Sequence, residues 1–189
     1  MPITPVGLTG VLVPALIASA QIGTGVPKLA LGVATGVTTF AAQSTVTSVD
    51  TGTLGVGVTV APLVVPQPLL LANILAGFAA TGTVGVMSPV LAVGLANGLS
   101  LGFLQGLITM THPGVGAGAG VAKVIPAGAV PAMIAGFAAA GMVGVGSVKM
   151  ATAIGIALTL TFTTFVLPVP IVGAPSIVPG AGVGVGKIV

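Results

Sequence analysis

The stretch Ala76–Ser88, AGFAATGTVGVMS, returns fifty-nine residues later as Ala135–Ser147, AGFAAAGMVGVGS, with ten of thirteen positions identical. A more diverged copy precedes both: Pro27–Gly36 (PKLALGVATG) matches Pro89–Gly98 (PVLAVGLANG) at the Pro, the Leu, both Ala and both Gly. The chain therefore reads as three copies of a unit of about sixty residues, a period that marks repeat architectures. The expected divisions are 1–66, 67–128 and 129–189, together forming one compact unit. Each should hold a short helix, a loop, a longer helix and an extended tail. The expected fold class is mainly α, with short extended Gly/Val-rich segments.

Local signals place the helices. In the second unit an apolar run from Leu69 to Ala80 is broken by Gly82 and Gly85. Ser88-Pro89 then offers an N-cap hydroxyl followed by proline at the first helical position, predicting a helix from Pro89 to Met110. The third unit predicts helices over Val130–Ala140 and from Ser147 to about Val166, stopped by Pro168 and Pro170. In the first unit Val11–Gln21 and Pro27–Gln43 are the corresponding pair. The tails Thr45–Val65, Gly114–Val124 and Pro179–Lys187 alternate Gly with Val or Ala in places. That period of two suits strands pairing with one another or with neighbouring chains. The amino terminus MPITPVGLTGVLVPALIASA has the small-residue ending of a signal peptide but lacks a basic start, so it is expected to be mature structure.

Composition restricts function. The 189 residues include four Lys, no Arg, one Asp, no Glu, one His and no Cys. Disulfides and thiolate metal sites are thereby excluded. The net charge of +3 reflects a shortage of acids, and four scattered lysines without Arg, Trp or Tyr do not make a nucleic-acid surface. Hydrophobic residues make up 55% and mean hydropathy is +1.28. Only 3% of residues are charged, whereas soluble surfaces are commonly about a quarter to a third charged. Lipid or other protein must cover most of such a surface.

Candidate chemistry is sparse. Gly186-Lys187 lacks the Walker loop's earlier glycine, which is Ala181, and its hydroxyl residue, which is Ile188. Gly114-Val115-Gly116 with Ala119 imitates part of a dinucleotide fingerprint but has no acid about twenty residues on. Both are better read as structural tails. His112 is expected at the end of the long helix, where an imidazole caps carbonyls. Asp50, ahead of Thr51 and Gly52, reads as a turn residue. Its Asp-Thr-Gly string is similar to that of aspartic proteases, whose chemistry needs a second carboxylate. No catalytic residue, metal site or cofactor is expected. Lys28 and Lys149 near helix starts, with Lys123 and Lys187 closing the tails, suggest two polar levels.

One packing feature stands out. Gly94, Gly98, Gly102 and Gly106, spaced by four, form a ridge suited to close helix packing, as in membrane helices. Threonines in the other long helices (Thr35, Thr38, Thr39; Thr152, Thr159, Thr161, Thr163, Thr164) suit polar contacts between packed helices.

The strings VDTGTLGVG (Val49–Gly57), VVPQPLL (Val64–Leu70), GLITMTHPGVGAGAGVAK (Gly106–Lys123) and the closing PGAGVGVGKIV resemble small virion structural proteins of tailed phages, of the T4-like cyanophage type. The resemblance implies a non-enzymatic structural subunit of a virion, a tail, baseplate or neck component packed among other subunits, and a homo-oligomer. The alternative is an integral membrane protein of pore, holin or proteolipid type, or a virion protein that inserts into the host membrane at infection. A proteolipid would need a mid-membrane carboxylate, which no helix here carries.

Overall fold

A computed structural model describes residues 4–43, 45–53, 56–62, 66–104, 107–113, 118–125, 128–164, 167–174 and 182–187. The protein is mainly helical. Its helices are α1 (Pro5–Ala18), α2 (Gly25–Gln43), α3 (Gln67–Ala80), α4 (Met87–Leu104), α5 (Ala129–Ala139) and α6 (Val145–Thr164). Between and after them run β1 (Thr45–Thr53), β2 (Val56–Pro62), β3 (Leu107–Pro113), β4 (Gly118–Ile125), β5 (Leu167–Ala174) and β6 (Gly182–Lys187).

Each helix packs against its two sequence neighbours, and α6 returns to α1, so the six helices close a ring. Short loops join α1 to α2, α3 to α4 and α5 to α6, which makes each pair an antiparallel hairpin. The core is built from matching positions of these hairpins. Leu16, Phe78 and Phe137 are buried from the first helices, and so are Leu12, Ile74 and Met133. From the second helices come Val33, Leu95 and Ile154, then Val37, Leu99 and Leu158. Spacings of three and four along each helix turn these residues to one face, and all of them join one continuous cluster.

The strands pair antiparallel in sequence order, and β1 also pairs β6, so the sheet closes as a barrel. Closure removes the sheet edges that an open sheet would offer to another chain. The pairs β1–β2 and β3–β4 each leave the end of one helix and return to the start of the next, and β5–β6 follows the end of α6. The barrel therefore lies at one end of the helical ring and the three helix–helix loops at the other.

Several helix limits differ from those expected. α1 begins at Pro5, not Val11, because Thr4 accepts a hydrogen bond from the Gly7 N–H at 3.1 Å and Pro5 follows at the first turn. Pro14 lies inside α1 without ending it, since Leu8, Leu12 and Leu16 anchor that face in the core. Ser88 and Pro89 fall in the first turn of α4, which starts at Met87. The larger correction is at the other end of α4. The helix stops at Leu104, and Met110, expected as its last residue, lies in β3 opposite Thr59. Leu107–Pro113 is rich in β-branched residues (Ile108, Thr109, Thr111), and pairing with both β2 and β4 outweighs an apolar pattern compatible with helix. Pro168 and Pro170 follow the end of α6 at Thr164 and sit in β5.

The three loops turn in the same way. The Gln21, Thr83 and Met142 N–H groups donate to the carbonyls of Leu16, Phe78 and Phe137, the six-to-one bond of a Schellman motif. The left-handed residue of that motif is Gly82 (φ 67°) and Gly141 (φ 78°) in two loops, but Ala20 (φ 64°) in the first. A Cβ in this conformation costs about 1 kcal/mol relative to glycine. Ala20→Gly should therefore raise the unfolding free energy by about 1 kcal/mol, while Gly82→Ala and Gly141→Ala lower it by a similar amount. Nothing lies within 4 Å of a Cβ built at Gly82 or Gly141, so strain alone is tested. Urea unfolding followed by circular dichroism reads all three.

Candidate interaction surface

The glycine ridge packs inside the molecule. A Cβ built at Gly94 would lie 3.1 Å from the Phe137 ring, and one at Gly98 would lie 2.7 Å from the Met133 Cα. At Gly102 the nearest atom is the Ala129 Cα, at 3.5 Å. Gly106 lies outside the described residues. The ridge thus receives the antiparallel helix α5, whose own Gly136 would drive a Cβ into the backbone of Gly98 and Gly94. The α2–α3 crossing is built alike, with Gly32 and Gly36 of α2 against Gly77 of α3. Sequence reading found one ridge and missed that Gly77 and Gly136 complete two crossings.

The third crossing departs from this pattern. Where α6 meets α1, the positions matching those glycines hold Ala153, Ala157 and Ala15. Three Cβ atoms keep the backbones apart, and a groove of about 480 Å³ opens there. Its lining includes Ala15, Ala18, Val148, Lys149, Thr152 and Ile156. One long polar contact spans the same seam, from Gln21 Nε2 to the Gly146 carbonyl at 3.5 Å.

Three of the threonines expected to bond across helices turn back to their own helix. Thr38, Thr152 and Thr161 donate to the carbonyls of Ala34, Val148 and Ala157, each four residues earlier and each at 2.8 Å. Their hydroxyls satisfy themselves locally, which lets Thr161 be buried. Amides make the bonds between helices: Gln67 Nε2 donates to Asn97 Oδ1 at 3.0 Å, and Asn73 Nδ2 to Gln43 Oε1 at 2.9 Å.

His112 is not at a helix end. It lies in β3, in register with Gly57 of β2. Asp50 is not in a turn but within β1, opposite Gly182 of β6. Gly52, two residues beyond Asp50, aligns through Gly57 with His112, so β2 runs between the acid and the imidazole. Lys123 pairs across to Thr109, and Lys187 to Thr45. Among the described residues no three His, Cys, Asp or Glu gather to hold a metal. The Gly114-Val115-Gly116 string and the Walker-like Ala181 and Ile188 lie outside the described residues.

The exposed surface is the larger feature. Val84 and Val86 between α3 and α4 are 77% and 92% exposed, and Val143 and Val145 near the start of α6 are 78% and 73% exposed. Ile22 in the first loop stands out equally. Further aliphatic side chains, including Ile17, Ile156 and Leu160, are exposed along the helices. In all six helices the charged residues are Lys28 and Lys149, both exposed. Among the described residues one helix, α6, is long and apolar enough to cross a bilayer over Val145–Phe162, and 44% of that stretch is buried in the protein itself.

The chain matches no protein-family model, no curated protein and no solved structure.

The crossings give a graded test. Gly136→Ala should cost about 3 kcal/mol, because its Cβ meets backbone that cannot rotate away. Gly102→Ala, with ordinary contact distances, should be neutral or stabilise by up to about 1 kcal/mol through helix propensity. Equal effects at the two positions, measured by urea unfolding, would remove the close-approach account.

Proposed function

We propose that the protein is a non-enzymatic structural subunit of a phage-like virion, wedged among other subunits in a tail, baseplate or neck. It is built on three copies of a helix-loop-helix-extended tail unit. The observation that carries this reading is the near-absence of charge from a helical surface dressed with exposed aliphatic side chains. Exposed apolar surface is unfavourable in water by about 25 cal/mol per Å², so such a surface calls for a covering. The likeness of its Gly-rich strings to tailed-phage virion proteins supports that setting. The triplication is supported by the sequence identity, by three loops with the same Schellman bond and by matched core positions. A three-part subunit suits a place where a particle's symmetry presents three similar neighbours.

Purified particles test the reading. The chain is expected in detergent-free particles at a fixed ratio to the other structural proteins. On its own, away from lipid and detergent, it should self-associate or aggregate. A monodisperse monomer at high concentration, seen by light scattering, would refute the proposal.

A further inference from the structure

The loop end of the helical ring combines two features that neither the core nor the crossings require. Its apices carry Ile22, Val84, Val86 and Val143 on three separate loops and Val145 at the first position of α6, all strongly exposed. Behind them, exposed Lys28 lies in the first turn of α2, and exposed Lys149 lies one turn into α6. No acidic residue occurs anywhere in the loops or helices, since the chain's one acid, Asp50, lies in β1.

We propose that this end docks on an anionic lipid surface, with the aliphatic apices entering the outer acyl region and Lys28 and Lys149 meeting the headgroup phosphates. The vertical order of the groups supports this occupant. Lys28 is three residues into α2 and Lys149 four residues into α6, so at 1.5 Å per residue each sits about 5–6 Å behind its helix start. An interfacial element buries its apolar part about 5–10 Å into the headgroup and acyl boundary, which sets cations at that height among the phosphates. The apices are also discontinuous. A fluid leaflet accommodates side chains from separate loops independently of one another. The charge matches as well: bases without acids attract anionic headgroups and are not offset by any neighbouring carboxylate.

The full chain is tested by density-gradient flotation with vesicles of phosphatidylcholine alone and of phosphatidylcholine mixed with phosphatidylglycerol, which leaves aggregates at the bottom. Binding to the anionic vesicles should be roughly tenfold or more stronger. Lys28→Gln with Lys149→Gln should bring it down to the level of the neutral vesicles. Val84→Ser, Val86→Ser, Val143→Ser and Val145→Ser together should abolish binding to both. These positions are exposed, so an unchanged far-ultraviolet circular dichroism spectrum certifies the fold of each variant. Vesicle binding that survives the valine changes, or shows no preference for phosphatidylglycerol, would overturn the proposal. So would no binding to either vesicle. If the valine variants leave vesicle binding intact but are lost from purified particles, the end docks on protein and the lipid assignment fails. The outcome is separable from the virion reading, because membership of the particle is measured without vesicles.

Discussion

Direct approach of one helix backbone to another is the contact on which the helical ring depends. At Gly136 against Gly94 and Gly98, and at Gly77 against Gly32 and Gly36, no room exists for even a methyl group. Such closeness draws the adjoining Phe78, Phe137, Ile74 and Met133 into the core at full burial. It also explains how a chain so rich in Gly, Ala and Val builds a packed interior. Small residues contribute little apolar area each, and close approach replaces that area with dispersion contacts between backbones.

The same constraint accounts for the asymmetry of the ring. Two of the three crossings between hairpins are glycine-built, and the third, α6 against α1, is alanine-built and opens a groove. This is where the ring closes between the first and last helices of the chain. The nearby loop also departs from the others, holding Ala20 in a left-handed turn that the other loops give to glycine. Departures thus concentrate beside one seam, while the other two interfaces keep the tighter chemistry.

The chain's one acid and one imidazole lie on different strands of the barrel. Asp50 and His112 are on β1 and β3 with β2 between them. The helical part carries exposed aliphatic side chains and two lysines, and its loop end gathers most of the strongly exposed ones, with Val6 at the start of α1 at the opposite end.

Much of the helical architecture was legible in the residues themselves. The short helices near Leu69–Ala80 and Val130–Ala140 are bounded by proline and glycine signals that act within a few residues, and they appear as α3 and α5. The four-residue glycine spacing of α4 announced a close crossing. The segment Leu107–Pro113 was not legible, because its apolar pattern fits helix or strand, and its choice depends on partners some fifty residues earlier and about fifteen later. For the same reason Asp50 and His112 could not be assigned to strands. Local sequence determined where helices begin, where they turn and how little charge they carry, since propensity, capping and composition are properties of neighbouring residues. Only the tertiary structure decided the closing of the ring, the partner of each glycine and the seam between α6 and α1, because these arise from contacts between residues far apart in the chain.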